Sequence, residues 1–522
     1  MSGGALTPMG EWIASRPEPP ETALHAARLQ LADHVAALHA SAGAPDIAVL
    51  MSNIPMGTGA STVLATGARH APAQAAFCNC AFSMAQDYDD IIWMGHTGHS
   101  AVFASLAVAE AEGASIDELV RAIVIGNEIA GRLGASSFLG PLNGQMWTFV
   151  HLVGAAAATA SLLKLNAEQC THALAIALAQ PTYALQPAFF GPTSKYLAAS
   201  VPTQIGVQAA YFARAGMTGA PDVLEDARGF WKVFAFKALP EMLGGLGTLW
   251  AIQTLTIKTA PACHYFQTAC EAMERIAARR PLHADQITKI FVSTNKLADE
   301  VTRFAREYAA ETAPDLSAVG VSFDLGLCIA IEVLAGRMTG AEAEPAWLHA
   351  HEEELRAIYA KVTVEHDPAL TMRVVDAARA IPAGREAIAK LKPLDWINLA
   401  SQYKKHYSSS LFRSQDVSRL LEVLLSRWRN PAETPASIDG PIPLYFPNRV
   451  SIDFTDGTNE AERVDLPSGS LASPVMEQIL REKFVRECRD TLADAPRALA
   501  LILEDAKTVP ELIAALSRSS RT

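Results

Sequence analysis

Long apolar runs, cysteine pairs and an excess of positive charge are all missing from this sequence, and each absence excludes a class of function. The longest apolar run, HLVGAAAATASLL from His151, stops at Lys164, well short of the roughly 20 residues a membrane-spanning helix needs. The 7 cysteines are odd in number and show no CxxC spacing. They indicate neither a disulfide framework nor a zinc knuckle, so reduced thiols in the cytoplasm are the simplest expectation. Lys and Arg total 43 against 55 Asp and Glu, a net charge of -12, which argues against a nucleic-acid partner. GxGxxG, P-loop and GxSxG motifs are absent, as are internal repeats and low-complexity tracts; the common nucleotide enzymes and esterases are thereby excluded. The first 29 residues lack a cationic stretch followed by an apolar core, so no secretory leader is expected.

What is present is a long chain, 522 residues and half apolar, enough for two domains or one large discontinuous one. From about Glu21 to Gly216 it reads as successive Ala- and Leu-rich helices. Capping boxes are expected at Ser115 with Glu118 and at Asn166 with Gln169. Several of these helices are apolar nearly all round and must lie inside a bundle. After about Pro261 the pattern changes. QITKIFVST (Gln286 to Thr294), KVTVEHD (Lys361 to Asp367) and RVSIDFTDGT (Arg449 to Thr458) alternate like strands, with a tight turn at Asp456 and Gly457. A buried helix ending at Gly336 lies between them, and helix returns from Ala472 to Leu516. The fold expected is mainly α: a large discontinuous all-helical domain (1–257 and 466–522) with an inserted smaller α+β lid (258–465). The more basic and aromatic stretch near 378–447 is taken as an exposed helical insertion rather than a nucleic-acid contact.

Two lysines stand alone. Lys195 is the only formally charged residue between Glu168 and Arg214, and Lys258 the only one between Glu241 and Glu271. An unpaired buried ammonium is costly, so each must face solvent or meet an anion, and a substrate carboxylate is one such anion. The segment DYDDIIWMGHTGHS gathers Asp87, Asp89, Asp90, His96 and His99. Its spacing matches neither an EF-hand nor HExxH, so no metal is expected. Gly95 and Gly98 allow a tight loop, and Ser100 is placed to cap the helix that follows. An acid/base loop accounts for the rest: a carboxylate orienting an imidazole whose ordinary pKa suits proton transfer near neutrality. His151 opens an apolar helix. Cys263 has no adjacent base except His264, a weak pattern for covalent catalysis.

The ordered series DYDD, HTG with ASLAVAEAEG, VGAAAATASLLKLNAEQCTHALAIA, TSKYLAASVPTQIGVQAAYFARAGMTG and IKTAPACHYFQTACEA resembles the MmgE/PrpD family. So do VSFDLGLCIAIEVLAGRMTG, EHDPALT and DLPSGSLASPVMEQILREKF further on. The family holds 2-methylcitrate dehydratases, cis-aconitate decarboxylases and iminodisuccinate epimerases. The resemblance implies a homodimer with a cofactor-free, metal-free site between the two domains, where a proton is removed beside a carboxylate. By motif, Asp87 falls on the family's first loop aspartate, His96 on its loop histidine, Lys195 on its helical lysine and Lys258 on its interdomain lysine. Gln145 and Cys263 stand where relatives carry histidine, and Leu325 where decarboxylases carry tyrosine.

The function expected is therefore a cofactor-independent dehydratase-type lyase acting on a small hydroxy di- or tricarboxylate. His96 would move the proton with Asp87 orienting it, and Lys195 and Lys258 would hold carboxylates. His99 or His151 would be the second acid/base group, with Gln145, Cys263, His264 and Asp90 as further substrate contacts. The alternatives are an epimerase, double-bond isomerase or decarboxylase on the same scaffold, or a carboxylate-binding protein without catalysis.

Overall fold

A computed structural model of the chain describes residues 4–44, 47, 51, 53–54, 57–93, 95–140, 148–312, 316–380, 382–406 and 440–519. It is mostly helical, with one two-stranded sheet of β1 (Thr58–Thr62) and β2 (Arg69–His70), another of β3 (Asp90–Ile91) and β4 (Thr256–Ile257), and a four-stranded sheet among the described residues. The first part packs α1 (Thr7–Ala14), α2 (Glu21–Ser41), α3 (Pro72–Met84), α4 (Gly98–Glu112), α5 (Ile116–Ser136), α6 (Phe149–Leu162), α7 (Ala167–Ala177) and α8 (Leu197–Arg214). Both expected capping boxes are present, Ser115 with Glu118 and Asn166 with Gln169. In α4 and α6 nearly every side chain is buried, as their largely apolar composition requires. No described helix is long and apolar enough to cross a membrane.

Small residues let these helices approach closely. A Cβ on Gly206 of α8 would lie 2.3 Å from the Leu152 carbonyl oxygen of α6, and one on Gly126 of α5 would lie 3.0 Å from the Gly154 carbonyl oxygen. Backbone cannot yield as a side-chain tip can, so glycine is needed where α6 is squeezed between its neighbours.

The second part is α+β. Its sheet has the order β6-β5-β7-β8, built from β5 (Ile287–Thr294), β6 (Val362–His366), β7 (Asn448–Phe454) and β8 (Asn459–Val464). β5 runs parallel to β6 and antiparallel to β7, and β7 and β8 form a hairpin. Gly457 takes the left-handed conformation at φ 82 in that turn, as the Asp456 and Gly457 pair predicted. Ile290 and Val292 of β5 and Val450, Ile452 and Phe454 of β7 are buried, the period-2 face of a half-covered sheet, and Ile287 joins it across an irregularity in the β5–β7 register. α9 (Gln267–Arg279) packs on β7 and β8, and α10 (Lys296–Thr312) and α11 (Leu325–Ala335) on β6. α11 ends at Gly336, φ 77, and starts at Asp324, whose carboxylate caps Gly326 and Leu327.

Within the stretch taken as an insertion, Pro382–Ala389 and Pro393–His406 are helical; positions 407–439 lie outside the described residues. Lys390 pairs with Glu241 at 3.1 Å and Lys237 with Asp395 at 3.1 Å, which fastens these helices to the end of the first part. The chain then returns: α12 (Met476–Cys488) packs on α2, and α13 (Val509–Leu516) on α4.

One detail of topology places the chemistry. β3 (Asp90–Ile91) pairs antiparallel with β4 (Thr256–Ile257), with Asp90 opposite Ile257. Extended by one residue, that register sets Asp89 opposite Lys258.

Candidate active site

The loop between α3 and α4 turns at Asp87, which sits at φ 55, a conformation that costs an L residue about 1–2 kcal/mol and marks over-determined, often functional, positions. The surroundings supply the determination. Lys258 Nζ donates to the Asp87 carbonyl at 2.7 Å, to Asp87 Oδ2 at 2.7 Å and to Asp89 Oδ1 at 2.8 Å. Lys195 Nζ stands 2.8 Å from Asp87 Oδ1, an ion pair rather than an aligned hydrogen bond, and donates to the Met84 carbonyl at 3.2 Å. It also lies 5.3 Å and 5.7 Å from the ring centres of Phe323 and Phe189. All four charged side chains are essentially inaccessible. The lysines that stand alone in sequence are thus paired in space.

This pairing sets the ionisation. Burial raises the Asp87 pKa, but Lys195 and Lys258 outweigh it and hold the carboxyl at about 2. Asp89 is likewise held well below the carboxylate range against its burial by Lys258, His96 and His99. Burial would strip the proton from Lys258; Asp87 and Asp89 reverse that and push its pKa up.

Asp89 is the hub. Its Oδ1 takes Lys258, while its Oδ2 is 2.7 Å from His96 Nδ1 and 3.1 Å from His99 Nε2. His96 Nδ1 also lies 2.6 Å from the Asp90 carbonyl oxygen. A carbonyl only accepts, so Nδ1 carries the proton, and in the neutral ring Nε2 is the lone-pair nitrogen. Among the described residues nothing hydrogen-bonds His96 Nε2, and His96, at 6% exposed, is the most open member of this polar cluster. The orienting carboxylate is therefore Asp89 rather than the expected Asp87, which is committed to the two lysines.

Further expectations change in the same way. Lys258 has spent its three N–H bonds on Asp87 and Asp89 and has none left for a substrate carboxylate; Lys195, with two partners, has one. Asp90 does not face the site: His34 Nε2 lies 3.0 Å from its Oδ1, and Gln30 donates to its Oδ2 at 2.5 Å. Burial disfavours a charged His34, but Asp90 outweighs it and raises that pKa. Gly98 is required for space rather than for a turn, since its Cβ would lie 2.0 Å from His34 Nε2. Ser100 is not the cap. α4 begins two residues earlier, and Ser100 Oγ instead donates to the Thr97 carbonyl at 3.0 Å and lies 3.1 Å from His151 Nδ1.

His99 and His151 are both buried and neutral. Burial lowers the His99 pKa to about 4 and that of His151 well below its ordinary value. His99 Nδ1 is 2.7 Å from Ser83 Oγ, while its Nε2 meets Asp89 as a close contact rather than an aligned hydrogen bond. Burial pushes the Cys263 thiol up to about 12, so it is not a ready nucleophile. His264 is buried beside it. Gln145 lies outside the described residues.

Sequence reasoning missed a supporting layer. Lys483 of α12 donates to Asp33 Oδ1 at 2.7 Å and to the Tyr88 and Lys258 carbonyls at 2.7 Å and 3.0 Å, tying the far end of the chain to the loop. Gln267 accepts from the amides of Thr259 and Ala260 and donates to the carbonyls of Ala260 and Ala262, fixing the turn after Lys258. Lys483 sits among other charges in REKFVREC and so lacks the isolation that marked Lys195 and Lys258. Across the cluster, Asp33, Asp87 and Asp89 lie against Lys483, Lys195 and Lys258, and Asp90 lies against His34.

Comparison with known proteins agrees with the resemblance read from the motifs. Residues 11–242 match the MmgE/PrpD N-terminal domain and residues 260–390 the MmgE/PrpD C-terminal domain. Two curated relatives are cis-aconitate decarboxylases of Aspergillus terreus, one of them from strain NIH 2624 / FGSC A1156. Each is 28% identical over 242 residues, which is 43% of this chain and 49% of the relative. The chain thus spans about half the length of the curated relatives it matches.

Proposed function

The chain belongs to the MmgE/PrpD family, and from that premise we propose that it is a cofactor-independent lyase of dehydratase type acting on a small hydroxy di- or tricarboxylate. The family includes dehydratases and a decarboxylase. One observation carries the reading: His96 Nδ1–H is fixed on Asp89 and the Asp90 carbonyl, which leaves Nε2 as a base at the open side of a buried cluster of ion pairs. In the proposed reaction Nε2 takes the proton from the carbon beside a carboxylate. The C–H electron pair forms the double bond as the C–O bond on the neighbouring carbon breaks, and the departing hydroxide recovers the proton from the His96 imidazolium and leaves as water. The remaining N–H of Lys195 meets that carboxylate as negative charge spreads onto it, and Asp89 stabilises the imidazolium. The buried network contributes preorganised electrostatics, the term expected to be largest.

The same proposal includes a homodimer in the cytoplasm, with 1–257 and 466–522 as one helical domain and 258–465 as a lid. The packing of α12 on α2 and of α13 on α4 supports the joining of the two chain ends. A second reading, decarboxylation, is favoured by the activity named for the Aspergillus relatives. Incubation with a panel of carboxylic acids in deuterated water, followed by NMR, separates the two. Loss of water to give an alkene is expected. Release of carbon dioxide supports the second reading, and deuterium uptake with neither loss would sink both in favour of an isomerase.

A further inference from the structure

His264 is 1% exposed, and among the described residues neither of its ring nitrogens has a hydrogen-bond partner. Buried polar groups are nearly always paired, so two orphaned nitrogens on one ring need an explanation. Looseness is not one. The ring rides on the turn that Gln267 fixes, where the Cys263 amide also donates to the Ser322 carbonyl at 2.7 Å. Its other side is held edge-on against Phe446, ring centres 4.9 Å apart.

The groups that act on it electrostatically are His96, Lys258, Asp89 and Asp87, all members of the candidate site; burial, the largest influence, keeps it neutral. A neutral imidazole offers one donor and one acceptor, a poor match for a carboxylate, which accepts only. A hydroxyl both donates and accepts and so suits either nitrogen in either tautomer.

We propose that His264 is the group that recognises the substrate's hydroxyl, holding it beside the carbon whose proton His96 removes. The inference rests on the hydroxy-carboxylate reading and sharpens it. Lys195 reads the carboxylate, and His264 requires the neighbouring oxygen to be an alcohol.

The test uses two pairs of probes that differ by one hydroxyl, citrate with tricarballylate and malate with succinate, titrated calorimetrically into the full chain. In the natural chain the hydroxy member of at least one pair is expected to bind about 10-fold tighter than its deoxy partner. In His264→Ala that ratio should fall to near one while the deoxy affinity stays within about 2-fold, which also reports that the site is still folded. His264→Gln, whose amide supplies a donor and an acceptor, should restore part of the preference. An unchanged ratio in His264→Ala overturns the assignment and leaves the carboxylate reading standing; so does an equal loss for both members of a pair. If the natural chain binds none of the four acids, the carboxylate reading falls and the assignment with it.

Discussion

Replacing Lys258 by methionine is expected to lower the stability of the fold by about 3–5 kcal/mol and to abolish turnover, with the stability gap to the natural chain closing as the pH falls from 7 toward 4. The magnitude follows from what is left behind. Methionine fills much the same space, so the loss is electrostatic: Asp87 and Asp89 remain buried, Asp87 with Lys195 alone and Asp89 with its histidines. Against a typical total of about 5–15 kcal/mol, that is a large share.

The pH dependence has a definite sign. In the natural chain Asp87 is held at about 2, below the ordinary carboxyl value of about 3.9. It therefore contributes stability that is present above that ordinary value and is lost as pH falls toward 2. In the variant the burial that opposes ionisation gains against the one remaining lysine. A carboxyl raised above its unfolded value is a liability at neutral pH and is relieved by protonation. Urea unfolding midpoints at pH 7 and pH 5 check this. A gap that stays constant would mean that the carboxylates are not the source of the loss. Lys258→Arg separates folding from chemistry: it keeps the charge, so most of the stability should return, while the displaced cation shifts Asp87 and Asp89 and turnover should stay low.

How much of this was legible in the sequence depends on distance along the chain. The capping boxes at Ser115 and Asn166, the helix stop at Gly336 and the turn at Gly457 were legible because their chemistry spans three or four residues. The two lysines were legible as anomalies, since a lone charge in apolar sequence must meet something. Their partners were not. Lys258 lies 171 residues from Asp87, and the two-residue ladder that sets Asp89 opposite it is too short for any periodicity to reveal. Within DYDD three aspartates look alike, yet Asp87 holds lysines, Asp89 holds histidines and Asp90 faces α2; only the left-handed turn at Asp87 and the β3–β4 register tell them apart. The cap assigned to Ser100 failed because the helix starts at Gly98 and the loop before it is already helical at Thr97.

The second large effect concerns His96. His96→Gln is expected to reduce turnover by about 10²–10⁴-fold, the usual worth of a positioned general base, while moving the urea midpoint little. Stability is spared because His96 lies at the margin of the cluster, and its removal leaves Asp89 with Lys258 and His99. Asp89→Asn should also lower turnover, by a different route: the neutral amide no longer stabilises the imidazolium formed when Nε2 takes a proton. If Asp89 acts through His96, the double variant should lose no more activity than the worse single, because the two residues work as one unit. Losses that multiply would show Asp89 acting on the reaction independently through Lys258. Full turnover in His96→Gln would place the base elsewhere, and the imidazoles expected as a second acid/base group, His99 and His151, have their Nδ1 atoms against Ser83 and Ser100. Burial, with neighbouring histidines adding to it, keeps both neutral and makes them reluctant to accept a proton. His96, with its proton pinned on the far side of the ring and its lone pair free among the described residues, is the nitrogen in the cluster best able to take one.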